Sequence, residues 1–380
     1  MVVPLPHGTT VGSGYNGMSV SLKSPLIEAD VQRVIQCLDI RQLAGQHVLL
    51  TGCTGFFGKW LLAMLAALNR QGAGIQLTAV SRNPGRFLRQ YPEYVRDGWI
   101  RWVEADVRAL DEQLLAIRCD AVIHAATDTT ANGQADALRL YDTILGGARN
   151  VLDLAVHAGA RRVLFTGSGA QYGAIAGERP VLESSSGACD SLRAGSAYAE
   201  AKRAQETLAA IYAERYGVEV VMTRCFAFSG PGLALDEHFA IGNFVRDALW
   251  RDELVLQSSG SAVRSYLHGA DLAGWLLTLL ARGVNGQAYN VGSDKALSIA
   301  ELARKVVARL APGKPVRILG RDDVQQARSY YVPDIDKARG LGLDDWTSLD
   351  HSIESMAQWA HEQGIHCEAD LMLARKNGLI

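Results

Sequence analysis

From His47 onward, short apolar or β-branched runs alternate with stretches of helical periodicity. The runs are Val48 to Leu50, Leu77 to Val80, Trp102 to Val103, Ala121 to Ile123, Val163 to Phe165 and Val220 to Met222. Strands that are apolar almost without interruption, each followed by a helix, belong to a parallel sheet covered on both faces. The pattern predicts an α/β fold built on a doubly wound parallel sheet.

The edges of this pattern are less regular. Upstream, Ser24-Pro25 followed by Glu28 and Asp30 reads as a capped helix start, with Val31, Val34, Ile35 and Leu38 at helical spacing. Beyond Cys225 the rhythm loosens at the loop Gly230-Pro231-Gly232, and helical patterns return at Leu272 to Leu280, Ile299 to Leu310 and Ile353 to Trp359. The expected organisation is a flexible tail over residues 1–24, a helical extension over 25–45 and the larger domain over 46–226. Residues 227–380 then form a smaller mixed α/β lobe that returns some segments to the first domain.

Composition narrows the function classes. With 48% hydrophobic and 21% charged residues the 380-residue chain can bury a sizeable core. A formal net charge of -2 and no sustained Lys/Arg run leave nothing for a phosphate backbone to bind, which excludes a nucleic-acid partner. The apolar run Trp60 to Leu68 is about half the length needed to cross a bilayer and reads as a buried helix. The first residues lack the basic start and apolar centre of a signal peptide, so a cytoplasmic protein without a membrane partner is expected. The six cysteines include no C-x-x-C pair, which argues against a zinc site and a disulfide framework.

Two motifs carry chemistry. Thr51-Gly52-Cys53-Thr54-Gly55-Phe56-Phe57-Gly58 follows the first strand and opens a helix. Its glycines let the backbone turn tightly against a pyrophosphate, and the helix start supplies free N–H groups and the positive dipole end. The Gly-x-x-Gly-x-x-Gly spacing is one residue longer than the common dinucleotide fingerprint. At the end of the second strand stand Ser81 and Arg82. A hydroxyl followed by Arg suits a ribose 2′-phosphate better than a free diol, and so NADP over NAD; Arg82 stacking on the adenine or facing solvent is the alternative. Asp106, after the third strand, reads either as a partner of the adenine amino group or as a turn cap.

Tyr198 and Lys202 are four residues apart and share one helix face. A nearby ammonium and a positive nicotinamide ring both favour the phenolate, so Tyr198 is expected to titrate low enough to remove a hydroxyl proton as hydride leaves the same carbon. Ser168, at the end of a preceding strand, fits as a hydroxyl partner of the reacting oxygen.

With these residues the chain resembles the extended short-chain dehydrogenase/reductases, the NAD(P)-dependent nucleotide-sugar epimerase/dehydratase group with a Rossmann-type domain. The likeness covers roughly residues 46 to 340. It is carried by Thr51 to Gly58, Ile123-His124-Ala125-Ala126, Ser168 to Gly173, Tyr198 to Lys202, Arg264-Ser265-Tyr266-Leu267-His268 and Tyr289-Asn290-Val291-Gly292-Ser293. It implies that Ser168, Tyr198 and Lys202 are catalytic. It adds Thr54, Phe56, Phe57, Val107, Ala125 and Ala126 to the cofactor set, alongside Tyr198 and Lys202. Thr127, Gly169, Ala170, Asn243, Arg264 and Arg328 are then expected beside a nucleotide-sugar substrate, the arginines because their forks pair with phosphate oxygens. A homodimer formed by the helices around residues 135 to 157 and 197 to 215 is also implied.

Departures from the family pattern select among reactions. Family dehydratases place Asp-Glu directly after the catalytic hydroxyl residue, and glucuronate decarboxylases keep a Glu there. This chain has Gly169-Ala170. An Asn usual after the sixth strand is also missing from Arg224-Cys225-Phe226-Ala227. The expectation is therefore a nucleotide-sugar epimerase acting through a transient 4-keto intermediate. Alternatives are a 4-keto-sugar reductase, a dehydratase or decarboxylase with a relocated acid/base group, and a non-catalytic NADP-binding regulator.

Overall fold

The computed structural model describes residues 22, 24–109, 112–127, 136–175, 179–237, 239–321 and 329–376. The strands are β1 (His47–Thr51), β2 (Gln76–Ser81), β3 (Ile100–Glu104), β4 (Ala121–His124), β5 (Arg162–Ser168), β6 (Glu219–Cys225), β7 (Phe228–Ser229), β8 (Leu254–Leu256), β9 (Val263–Arg264), β10 (Leu267–His268), β11 (Gln287–Val291), β12 (Leu297–Ser298), β13 (Val316–Ile318) and β14 (Tyr330–Tyr331). The helices are α1 (Pro25–Ile35), α2 (Phe56–Arg70), α3 (Pro84–Gln90), α4 (Glu112–Leu115), α5 (Ala137–Ala158), α6 (Ala197–Tyr216), α7 (Ala240–Trp250), α8 (Gly269–Arg282), α9 (Ile299–Leu310), α10 (Asp336–Arg339), α11 (Leu349–Glu362) and α12 (Glu368–Lys376).

The six strand-like runs lie inside β1 to β6, and the apolar run Trp60 to Leu68 lies inside α2. With β11 these six strands form one seven-stranded sheet in the order β11-β6-β5-β4-β1-β2-β3, parallel throughout. Alternation along each strand explains the unbroken runs. Val48, Leu50, Ile123 and Leu164 face one core with α1, α2 and α8, whereas Leu49, Val122, Val163 and Phe165 face a second core with α5 and α6. The chain builds β1-β2-β3 outward in one direction and β4-β5-β6 in the other. Beyond β6, a third apolar core gathers α7, β8, α9 and α11. Three small sheets, β10-β7, β12-β9-β14 and β13-β8, complete this region.

Helix α1 starts where the sequence placed it, with Ser24 Oγ accepting from Ile27 N and Pro25 in the first turn. It stops at Ile35, so Leu38 lies beyond it. Leu38 still packs beside Val34 on α8, where Gly274 leaves room: a Cβ there would lie 2.6 Å from Val34 Cγ1.

A polar cluster ties this extension to the rest. The buried Asp30 carboxylate accepts from His351 Nε2 of α11 at 2.6 Å and from Arg33 at 3.1 Å, and its other oxygen lies 3.4 Å from His268 Nε2. These three donors are close enough to frame a metal ion. The chemistry speaks against one. Arg33 already neutralises the carboxylate, and His268 Nδ1 accepts from Ala270 N at 3.2 Å to cap α8, which leaves the ring proton on Nε2.

Burial pushes the His268 imidazole down to about 4 from its ordinary 6.5. Below pH 6.5 the unfolded chain binds a proton that the folded chain refuses until about pH 4. This contribution to stability is complete above pH 6.5 and is lost as pH falls toward 4, at about 1.4 kcal/mol per pH unit. His268→Asn keeps a capping acceptor without titrating. In urea unfolding between pH 7.5 and 4.5, wild type should lose stability relative to this variant as pH falls. The comparison cancels the opposite drift of the buried Asp271 carboxyl, which burial pushes up to about 7. Parallel curves for the two proteins would contradict the assignment.

Candidate active site

Because the chain reverses its direction of growth between β1 and β4, a crevice opens at their carboxyl ends. The turn after β1 lies in it. Gly52 has φ 72°, and a Cβ there would sit 2.5 Å from Ala125 O at the end of β4. At Gly58 a Cβ would sit 2.3 Å from the Cys53 carbonyl carbon, so only glycine lets α2 start this close to the turn. Gly55 is the N-cap and has no side-chain cap, which leaves the first N–H groups of α2 without a side-chain acceptor. A tight, side-chain-free turn ending in an uncapped helix fits a dinucleotide pyrophosphate.

Around it, Thr51 Oγ1 pairs with His124 Nδ1 at 2.8 Å, and burial, with Lys202 adding to it, drives the His124 ring down to about 3, so it is neutral. Thr54 and Ser81 hydroxyls lie 3.4 Å apart across the ends of β1 and β2. Asp106 is engaged by Arg108, whose Nη2 reaches Oδ2 at 2.6 Å, and its carboxyl is held below the usual range by that hydrogen bond, with Arg82 contributing. Asp106 also caps its own turn by accepting from Arg108 N at 2.9 Å, which is the turn-cap reading. Val107 O accepts from Asn150 Nδ2 at 2.9 Å on α5.

Ser168 ends β5 and caps the short turn Gly169–Tyr172, its Oγ accepting from Ala170 N at 3.2 Å. The Tyr198 hydroxyl lies beside Ser168. Lys202, buried on the next turn of α6, donates to Thr166 O at 2.7 Å and to Thr127 Oγ1 at 3.0 Å. Burial lowers the ammonium to about 8. The expected depression of Tyr198 by Lys202 is not what this geometry gives. Burial raises the phenol, the Ser168 hydroxyl opposes it, and the ammonium is directed at the ends of β4 and β5 instead. Thr127, expected beside the substrate, is likewise engaged with Lys202.

A group missed by the sequence reading completes the site. Tyr331 of β14 brings its hydroxyl beside Ser168, donates from it to Cys225 O at 3.4 Å and packs on Phe226 with ring centroids 4.6 Å apart. A Cβ at Gly169 would sit 2.8 Å from both Tyr331 Oη and Phe226 Cζ. The only signal for it was the Tyr-Tyr pair before Val332-Pro333-Asp334. Arg264 stands over the Tyr331 ring at 5.6 Å, with Nη1 held by Val263 O at 2.7 Å and Ser329 Oγ at 3.1 Å. Asn243 spends both ends of its amide on neighbours, Glu237 O at 2.8 Å and Arg246 at 3.0 Å. Arg328 lies outside the described residues.

The same architecture and motifs recur in known proteins. The model of the NAD dependent epimerase/dehydratase family matches residues 48–292. UDP-glucuronic acid decarboxylase 6 of Arabidopsis thaliana is 26% identical over 323 residues, 83% of this chain and 89% of that protein. The dTDP-glucose 4,6-dehydratase DesIV of Streptomyces venezuelae, solved with NAD bound, is 27% identical with a TM-score of 0.70, covering 83% of this chain and 97% of that one. UDP-glucose 4-epimerase of Thermotoga maritima shares the fold at 20% identity and a TM-score of 0.70, covering 83% and 99%. A glycine turn at the reversal of a seven-stranded parallel sheet, matched across most of its length by the family's own model, means that the chain is an NAD(P)-dependent enzyme belonging to the NAD dependent epimerase/dehydratase family.

Proposed function

We propose that the enzyme is a nucleotide-sugar epimerase working through a transient 4-keto sugar. The supporting observation is the space beside Ser168. Dehydration and decarboxylation, the activities named for two of its relatives, call for a proton-transfer group there in addition to the redox pair. Here the volume that a side chain at residue 169 would need is taken by the Phe226 ring and the Tyr331 hydroxyl. Epimerisation at a hydroxyl-bearing carbon needs only the residues that are present.

In this reading the turn from Thr51 to Gly58, with the first N–H groups of α2, holds the pyrophosphate. Phe56, Phe57, Val107, Ala125 and Ala126 line the crevice. A nicotinamide bound there would supply the hydride acceptor, and then the hydride donor, for C4 of the sugar. Tyr198 removes the proton from the O4 hydroxyl and later restores it, while Ser168 holds the same oxygen. Lys202 keeps positive charge beside the pair and secures the ends of β4 and β5. Arg264, and Arg328 on sequence grounds, bind the nucleotide phosphates.

Arg82, directly after β2, acts electrostatically on Asp106, and a guanidinium at this strand end supports reading the cofactor as NADP rather than NAD. The same feature supports the second reading, a 4-keto-sugar reductase that exchanges its cofactor at each turnover.

A homodimer is part of the proposal. Helices α5 and α6 return against the strands on one face of a parallel sheet and so run parallel to each other. Leu138 and Tyr141, 74% and 37% exposed, lie at the start of α5; Ile211 and Tyr216, 51% and 48% exposed, lie toward the end of α6. A two-fold axis across these helices brings the first apolar pair of one copy onto the second pair of the other. A cytoplasmic location agrees with six unpaired cysteines.

Mass spectrometry of a nucleotide-sugar panel incubated with the enzyme should show an isomer of unchanged mass, and loss of water or carbon dioxide would sink the epimerase. Tyr198→Phe should lower kcat by about 100-fold or more with unchanged cofactor binding. Arg82→Ala should weaken NADP by about tenfold or more and leave NAD nearly unaffected, read by fluorescence titration of the reduced cofactors. Equal losses for both cofactors would count against a 2′-phosphate site.

A further inference from the structure

Tyr198, Lys202 and Glu206 follow one another at i, i+4 and i+8 along α6, so one stripe of the helix carries all three. Each grips the end of β5 or the turn after it. Tyr198 lies beside Ser168, Lys202 donates to Thr166 O at 2.7 Å, and Glu206 Oε1 accepts from Gln171 Nε2 at 2.7 Å. Glu206 is also held in a fork by Arg224 of β6, with Nε to Oε1 at 3.0 Å and Nη2 to Oε2 at 2.8 Å. The remaining arm of Arg224 donates to Tyr172 Oη at 2.8 Å and to Glu183 O at 2.9 Å, and Tyr172 Oη in turn donates to Asn290 Oδ1 at 2.8 Å on β11. Gln171 and Tyr172 are the last two residues of the turn that begins at Ser168, and both are buried.

We propose that Glu206 is a positioning residue: through Gln171 and Arg224 it sets where α6 sits along β5, and so holds Tyr198 against Ser168. The inference rests on reading Ser168 and Tyr198 as the proton-handling pair. Stabilisation alone does not account for the arrangement. The Arg224–Glu206 pair lines an open groove of about 500 Å³ together with Thr207, Met222 and Ala288, so it is not a fully desolvated ion pair. Gln171 is the more telling member. Its Oε1 has no hydrogen-bond partner, so its bond to Glu206 decides the orientation of the amide. Arg203 adds a second grip on the same turn by donating to Gln171 O at 3.2 Å. Misplacement of a reacting pair by about 1 Å costs on the order of 100-fold in rate, so a small axial slip of α6 is enough to matter.

Gln171→Met removes the bond to Glu206, keeps the volume and leaves the Arg224 fork whole. The expected result is a fall in kcat of about tenfold or more with KM and cofactor affinity within about threefold of wild type. Because the Ser168 hydroxyl is what holds the Tyr198 phenol down, loosening that contact should move the titration of that phenol upward. The titration is read by ultraviolet difference absorbance against the same protein carrying Tyr198→Phe, and needs no substrate. Glu206→Gln should shift both readouts in the same direction. A kcat within twofold of wild type for Gln171→Met, a loss confined to KM or cofactor binding, or an unmoved Tyr198 titration would overturn the proposal. If the wild type converts no nucleotide sugar, the functional reading falls, and the Tyr198 titration still decides the positioning role.

Discussion

The close approach of the β1 turn to the end of β4 is the constraint on which the rest of the molecule depends. At Gly52 the two backbones leave no room for a Cβ, because Ala125 O would be 2.5 Å away. That contact is available only where neighbouring parallel strands end side by side, and only at the place where the chain changes its direction of growth do they end with an open crevice above them. The carboxyl ends of β4 and β5 supply Thr127, Thr166 and Ser168 to the same rim, and α6 brings Tyr198 and Lys202 onto it. The site is thus a product of strand register before it is a set of side chains.

Electrostatics at this rim are dominated by burial. Lys202 is lowered to about 8 and His124 to about 3, and the Tyr198 phenol is raised, because each charged form loses water without a full counter-charge. A neutral His124 can share its Nδ1 with the Thr51 hydroxyl and adds no positive charge under the turn. The cation that remains, Lys202, is held by an uncharged carbonyl and an uncharged hydroxyl. Its charge is therefore not neutralised by a local carboxylate and remains effective across the low-dielectric crevice.

How much of this was legible in the sequence follows from how local each signal is. The inner strands announced themselves because both faces are buried, so Val48, Leu49 and Leu50 are all apolar although they serve two different cores, whereas the edge strand β3 shows only Trp102-Val103 between the exposed Arg101 and Glu104. The glycine turn and the Tyr198–Lys202 spacing are equally local, and the structure brings these residues and Ser168 to one rim. Tyr331 was missed because β14 is two residues long and has no periodicity to read. Asp30 and His351, 321 residues apart, meet only through packing of α1 and α11. The charge state of Tyr198 was misjudged for a related reason. Spacing placed an ammonium on the same helix face, but not the direction in which Nζ finds its acceptors.

These observations separate two kinds of decision made by one chain. The residues proposed to bind a dinucleotide and to move a proton lie on strand ends and one helix, within the stretch matched by the family model. The groups that shape the space beside Ser168 include Phe226, just past β6, and Arg264 and Tyr331 on short strands of the second lobe. Residue 169 is where the two sets collide: its glycine belongs to the first set by position and to the second by necessity, because Phe226 and Tyr331 already occupy the volume. Restoring a carboxyl at 169 would therefore require changes at 226 and 331 together, not one substitution. In the reading proposed above, the choice of reaction is held by the packing of Phe226 and Tyr331 against residue 169, and the redox residues are left untouched.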